Sequence, residues 1–392
     1  MNKEKAQILK SFQPSSVDKL EKVLGHEYPM ALWRMPNQDE IQAIIDLRPD
    51  QTSDASEIES MDPGFAINAF QHHHPSQPNF IKADLLISWK KNKDLQIKTN
   101  PVIKDQELEN FDENISQSKK MVGYQPRIGN PDYRFSVKTA VEAIKQHQFN
   151  KVVLSRYEDR SLPGNFNVFT TFAKACDAYP NAFVYLVYAP ELGTWLGATP
   201  ETLISVKDKR YFTTASLAGT QKLLPDQPLS SVPWTQKEIE EQAMVSRYII
   251  DCLKKIRLRE FEEVGPKTIK AGNLAHLKTE YHIDMKEVNM SQLPSVMLDL
   301  LHPTSAVCGM PLQPSLEFIR EHEQYDRELY AGFLGPVNIH NLTHLFVNLR
   351  CMKIINQTGR FYAGAGITED SDPEKEYIET QMKMETLKKL IF

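Results

Sequence analysis

The sequence predicts a large α+β fold, and three observations predict it. Strand-like stretches recur at Gly64–Phe70, Asp84–Ser88, Lys151–Arg156, Ala182–Tyr188, Thr194–Gly197, Thr202–Lys207 and Arg210–Leu217, and in a closing pair, Leu342–Gln357 and Gly359–Ile367. Helical patterns lie between these long strands at Val137–Gln146, Trp234–Lys255, Pro314–His322 and from Asp370 onward. No internal repeat, low-complexity tract or linker follows residue 130, so the C-terminal two thirds is expected to fold as one unit.

Composition narrows the partners. A net charge of -5 and a pI near 6.2, with both signs interspersed, leave no basic footprint for nucleic acid and no polybasic membrane patch. A small molecule is the expected partner. Cys176, Cys252, Cys308 and Cys351 are far apart and form no CxxC, which argues against zinc and against a disulfide framework, and for a reducing compartment. The start, MNKEKAQILKSFQ, has no apolar signal core, and the longest apolar run, Ala182–Ala189, is too short to span a bilayer. A soluble, cytoplasmic protein is expected.

The first 130 residues carry weak signals. Gln51–Asp62 and Glu109–Ser118 read as polar, acidic stretches, the second as a connection. His72, His73 and His74 are adjacent in a Pro/Ser/Gln loop, so they do not converge on one metal and read as solvated. From Tyr133 the periodicity sharpens. Lys151 opens a buried strand, where a lysine alone reads as a snorkelling surface residue. In Gly197-Ala-Thr-Pro-Glu201 the proline ends one strand and the glutamate opens the next. Asp208-Lys209 is a tight turn. On Trp234–Lys255, Ile239, Ala243, Ile250 and Leu253 form an apolar stripe, and Glu238 and Glu241 share another face. Thr268–Lys270 and Leu274–Thr279 are short strand candidates, the second with His276.

The last fifty residues are the most informative. Period-two alternation on the first strand puts Leu345, Val347, Leu349 and Cys351 on one face and Phe346, Asn348 and Arg350 on the other. The second strand carries Gly364 and Gly366 between alanines, which weakens a strand unless something approaches its backbone, here expected to be a ligand. Asp372 can cap the next helix, Pro373 fits its first position, and acids fill its first turn. Glu376 and Glu379 repeat the ExxE of Glu238 and Glu241. One ExxE alone is more often a dipole-compensating surface pair; two of them, with a lysine, an arginine and backbone-approach glycines, form a list with chemical sense. Carboxylates without histidine or cysteine partners suit a hard ion such as Mg²⁺ that shares its coordination with an anionic substrate.

The ordered stretches KVVLSR, GATPETLI, SLAGT, KEIEEQ, HLKT, HPTSAVCG, DRELYAG, NLRC and AGAGITEDSDPEKEYIETQMK resemble the chorismate-utilising enzymes, and most of all the isochorismate synthases. The resemblance covers residues 131–392, the expected catalytic region, with 1–130 as the weakly matched N-terminal part of the same fold. It implies two large antiparallel β-sheets packed together with helices outside, as in anthranilate synthase component I. It further implies Mg²⁺ held chiefly by Glu241 and Glu379 with Glu238 and Glu376 assisting. Substrate carboxylates would be held by Arg350 and the backbone of Gly219, Ala363 and Gly364, with Lys383 nearby and His276 lining the ring pocket. Lys151 would be the base for a water nucleophile and Glu201 the general acid. The reaction would add water at ring carbon C2 of chorismate and release the C4 hydroxyl, for menaquinone or siderophore synthesis.

The chemistry imposes conditions. A lysine base must be free of its proton, whereas an ordinary lysine keeps it to about pH 10.4, so burial and nearby positive charge are expected around it. The acid must hold a proton near neutrality, which apolar surroundings favour. The lysine of KVVLSR favours water over ammonia, and Met244–Asp251 departs from the run typical of ammonia-using relatives, so no amidotransferase subunit is expected. Salicylate synthase, anthranilate or aminodeoxychorismate synthase component I, and a non-catalytic chorismate-binding protein stay as alternatives.

Overall fold

The computed structural model describes residues 20–49, 57–71, 74–90, 96–116, 132–224, 227–271 and 274–392. The N-terminal stretch MNKEKAQILKSFQ, the first half of the acidic run Gln51–Asp62, and His72 and His73 lie outside the described residues. The elements run β1 Met30–Arg34, β2 Ile41–Ile45, β3 Gly64–Asn68, β4 Asn79–Lys82, β5 Leu85–Trp89, β6 Gln96–Thr99, α1 Asp105–Ser116, α2 Tyr133–Lys145, β7 Lys151–Ser161 and α3 Val168–Ala178. They continue with β8 Phe183–Ala189, β9 Gly193–Thr199, β10 Thr202–Lys207, β11 Tyr211–Lys222, α4 Gln236–Lys255, β12 Glu262–Ala271, β13 Leu274–Asp284 and α5 Leu293–Leu301. The last are β14 Gly309–Met310, α6 Leu312–His322, β15 Phe333–Val337, β16 Leu342–Val347, β17 Cys351–Ile355, β18 Thr358–Ile367 and α7 Pro373–Ile391.

The strands form a ten-stranded sheet, β14-β7-β18-β17-β9-β8-β1-β2-β5-β6, and an eight-stranded sheet, β12-β13-β11-β10-β16-β15-β3-β4. Their pairings are antiparallel. The main core lies between them: Phe183, Tyr185 and Val187 of β8 point inward toward residues such as Phe346 and Leu345 of the facing sheet. The Phe183 and Phe346 rings stack with centroids 4.1 Å apart. The alternate residues Val184, Leu186 and Tyr188 join a second core with α1, α3 and α7 on the outside. Both faces of β8 are therefore buried, which is why it reads as an unbroken apolar run. The expected architecture of two packed antiparallel sheets with outer helices is the one observed.

Several local readings are corrected. Leu342–Gln357 is not one strand: β16 belongs to the eight-stranded sheet and β17 to the ten-stranded one, and Arg350 between them has a φ of 49°. The alternation read through residues 345–351 stops there, because a strand that changes sheets must turn out of its pleat. Glu109–Ser118 falls in α1 as far as Ser116, with Phe111 and Ile115 buried. The two short strands around His276 are ten and eleven residues long. On α4 the buried positions are Gln242, Val245, Ile249, Cys252 and Leu253, while Ile239 is exposed. Helix α3 and α5 and strands β1 and β2 were not legible. The Asp208-Lys209 turn has both residues at positive φ, 54° and 52°, as a two-residue hairpin turn of this class requires.

Of the N-terminal strands, β1, β2 and β5 lie inside the ten-stranded sheet and β3 inside the eight-stranded one, while β6 and β4 are edges. β1 pairs with β8 and β3 pairs with β15, partners at least 150 residues away in sequence for β1 and more than 250 for β3.

Candidate active site

Two paired strands change sheets side by side, and that is where the site opens. β9 passes into β10 through Pro200-Glu201, and β16 passes into β17 through Asn348-Leu349-Arg350. The crossings are tied together by hydrogen bonds from Val347 N to Glu201 O at 2.9 Å, from Ala198 N to Arg350 O at 3.1 Å, and from Thr199 Oγ1 to Val347 O at 2.6 Å. The proline in GATPE and the left-handed backbone at Arg350 are the local marks of the switch. Glu201 and Arg350 thereby enter a cavity of about 590 Å³ left between the parting sheets.

Glu201, Gly219, Glu238, Glu241, His276, Arg350, Ala363, Gly364, Glu376, Glu379 and Lys383 all border this cavity. Lys151 stands just behind the lining, buried, and donates from Nζ to Glu241 Oε1 at 3.0 Å. Every site residue read from the sequence is thus brought to one place. The glycines make room for protein rather than only for a ligand, which corrects the earlier expectation. A Cβ at Gly366 would lie 2.8 Å from Lys151 Cε, and one at Gly364 would lie 2.9 Å from the Leu154 carbonyl oxygen and 3.0 Å from Tyr330 Oη.

The acids are not equivalent. Glu241 and Glu379 each face a lysine: Lys383 Nζ is 2.7 Å from Glu379 Oε1 and also donates to Gly364 O at 2.8 Å. Burial works to raise both carboxyls, but Lys151 and Lys383 respectively outweigh it and hold them below the ordinary range. Glu376 is buried, accepts from Ser371 Oγ at 2.8 Å, and is raised by burial and by the Glu379 charge. Glu238 occupies the third position of α4, where it accepts from Thr235 N at 2.9 Å in a capping box and from Gln221 Nε2 at 3.1 Å.

Glu201 is buried, and its carboxyl makes no ion pair or hydrogen bond with the other described residues. Burial pushes its carboxyl from 4.5 up to about 7, against the attraction of Lys151, Lys383 and Arg350. The apolar surroundings expected for an acid are provided. His276 receives the reverse treatment: burial, then the Arg350 charge, push it down to about 4. Neutral His276 uses Nδ1 toward Gly219 O at 2.8 Å, which leaves Nε2 buried and unpartnered. Arg350 is lowered by burial. The positive surroundings expected at Lys151 are not those found, since its contact is the Glu241 carboxylate.

Among the described residues no three His, Cys, Asp or Glu side chains form a ready-made metal nest. The donor set nevertheless fits a hard dication that takes part of its shell from substrate and water: four carboxylates border one cavity, and the repulsion that raises Glu376 is relieved by a cation. The sequence reading missed Tyr330, Leu349 and Tyr362, which also border the cavity. Tyr330 stacks on Tyr362 at 5.5 Å and Tyr362 on Trp195 at 5.3 Å. The position of Tyr330 within DRELYAG was the available signal.

Comparison with known proteins places this geometry. Residues 46–392 match the family model described as chorismate binding enzyme. Isochorismate synthase EntC of Escherichia coli (strain K12) is 28% identical over 277 residues, 69% of this chain and 70% of that protein. The solved structure of MenF, the menaquinone-specific isochorismate synthase from Escherichia coli, has a TM-score of 0.75 at 23% identity and covers 97% of this chain and 92% of that one. Anthranilate synthase component I from Streptococcus pneumoniae TIGR4 has a TM-score of 0.64 at 18% identity, covering 93% and 92%. The last two likenesses are of fold. By the extent of the family match, the chain belongs to the chorismate-binding enzymes.

Proposed function

We propose that this protein is an isochorismate synthase that acts on chorismate as a stand-alone cytoplasmic enzyme with Mg²⁺. The observation that supports it most is a buried carboxyl on the cavity with a buried lysine just behind its lining, the carboxyl pushed up to about 7 and so able to hold a proton at neutral pH. Family membership and the isochorismate synthase relative agree with this reading. The four cysteines are buried free thiols, in keeping with a reducing compartment.

Lys151 Nζ takes a proton from water as its oxygen bonds to ring carbon C2. The double bonds move one place, the C4–O bond breaks, and Glu201 gives its proton to the departing hydroxyl, which leaves as water. Atoms balance, and the net change is an isomerisation. Arg350 and Lys383 hold substrate carboxylates, and Gly219, Ala363 and Gly364 shape the floor. His276 Nε2, neutral and without a protein partner, presents a lone pair to a ring hydroxyl. Glu241 and Glu379, with Glu238 and Glu376, would hold the cation, which when bound neutralises the acids, anchors a substrate carboxylate and competes with Lys151 for Glu241.

The test is product analysis after incubation with chorismate and Mg²⁺, with and without ammonia. Isochorismate alone is expected. Salicylate with pyruvate, an aminated product, or no turnover would each overturn the proposal in favour of a named alternative. Lys151→Ala is expected to lower kcat by about 10²–10⁴-fold while chorismate still binds; near-full activity would remove its role.

A further inference from the structure

Strand β7 carries Lys151 and Val153 to the site, and among the described residues its outer edge is paired only by the two-residue strand β14. β14 pairs only with Lys151 and Val152. Beyond that point the edge groups of β7 are met by side chains and a single carbonyl instead of a strand. Val153 N donates to Cys308 O at 2.8 Å, Val153 O accepts from Arg327 Nη2 at 2.7 Å, and Ser155 N donates to Glu323 Oε1 at 2.6 Å. An ion pair therefore continues the ladder. Arg327 and Glu323 are each 2% exposed and are joined by two hydrogen bonds, from Nε to Oε2 at 2.7 Å and from Nη2 to Oε1 at 2.5 Å.

The same guanidinium reaches further. Its Nη1 donates to Val307 O at 2.9 Å, and Val307 borders the cavity beside Ala306. The Arg327 backbone carbonyl accepts from Tyr330 N at 2.9 Å, in the turn that brings Tyr330 to the cavity wall. Its plane lies over the Phe70 ring at 4.1 Å. One residue thus links three pieces of wall: through its side chain β7 behind Lys151 and the Ala306-Val307 segment, and through its backbone the turn of Tyr330. It does not border the cavity itself.

We propose that Arg327, together with Glu323, is a positioning residue for catalysis, setting the distance between the Lys151 strand and the opposite wall of the ring pocket. The inference rests on the isochorismate synthase reading. A lysine at 327 would keep the charge but cannot bridge Val153 O, Val307 O and Glu323 at once, since that bridge uses the planar fork. Misplacement by a fraction of an ångström to 1 Å is enough to cost up to about 10²-fold in rate.

The experiment compares Arg327→Lys with Arg360→Lys. Arg360 of β18 makes a similar pair with Asp159 at the far end of β7, through Nε and Nη2 at 2.8 Å each. The first variant is expected to lose about tenfold to 10²-fold in kcat with KM for chorismate within about twofold. The second is expected to lose thermal stability with kcat unchanged. Hydrogen exchange should quicken in Lys151–Ser155 and Ala306–Cys308 of Arg327→Lys alone. A kcat within twofold of the parent, or an equal kcat loss in Arg360→Lys, overturns the inference. If the parent chain makes no isochorismate the functional reading fails, and the exchange measurement still decides: unchanged exchange at Lys151–Ser155 in Arg327→Lys overturns the positioning role.

Discussion

The two acid-bearing helices, α4 and α7, carry the same ExxE spacing and reach the same cavity, but their glutamates are held differently. The first acid of each pair is engaged by its own neighbourhood. Glu238 completes the N-terminal box of α4 through Thr235, and Glu376 is fixed by Ser371 just before α7. The second acid of each pair, one turn along, faces a lysine of the site: Lys151 for Glu241 and Lys383 for Glu379. The comparison teaches that identical spacing divides the labour: the first acid of each pair is taken up at the start of its helix, by a backbone donor for Glu238 and by the Ser371 hydroxyl for Glu376, and the second is left to the lysines of the site.

Substitutions along these helices break or sharpen that division. Glu241→Ala should have the largest effect, on the order of 10³–10⁴-fold in kcat, because on the proposed reading it would remove a cation ligand and the partner of the base together. Glu379→Ala should cost on the order of 10³-fold, and a chelator should abolish turnover that added Mg²⁺ restores. Steady-state assays over a Mg²⁺ series check both; equal losses in Glu238→Ala would end the distinction.

Next comes the acid on the other wall. Glu201→Gln should lower kcat by about 10²-fold or more. In the parent, kcat should fall as pH rises through about 7, where the proton of Glu201 is lost, and this limb should vanish in the variant. Stability follows the same sign. A carboxyl raised from 4.5 to about 7 binds its proton more tightly in the folded state, so its contribution is full below 4.5 and is lost as pH rises through about 7. Glu201→Gln should therefore melt higher than the parent at pH 8.

Smaller effects are expected from the first acids. Glu376→Gln should raise the Mg²⁺ concentration needed for half-maximal rate by about tenfold, in the range seen when a supporting ligand is lost. Glu238→Ala should lower stability by about 0.5–1 kcal/mol by opening the capping box, with a loss in kcat below tenfold. Urea unfolding together with kinetics separates the two.

The residues proposed to do chemistry were legible because their types are chemically restrictive. Lys151, Glu201, the four acids and Arg350 could be listed from ordered motifs; Glu201, the acids and Arg350 border one cavity, and Lys151 stands just behind its lining against Glu241. Their companions were harder to see. Tyr330, Leu349 and Tyr362 are ordinary core residues by type, and only the fold turns them toward the substrate space. Glycines 364 and 366 announced a close approach without saying by what; the answer includes Tyr330 and Lys151.

The sequence by itself determined the start of α7, the fully buried strands such as β8 and the two-residue turn at Asp208-Lys209, because capping, periodicity and φ preference act within a few residues. It also supplied the chemical inventory of the site. Only the tertiary structure decided that Leu342–Gln357 breaks at Arg350 to change sheets, and that Lys151 meets Glu241 across 90 residues of sequence. Those outcomes depend on which strands pair and where two sheets part. Such pairing energies come from partners distant along the chain, which no local pattern records.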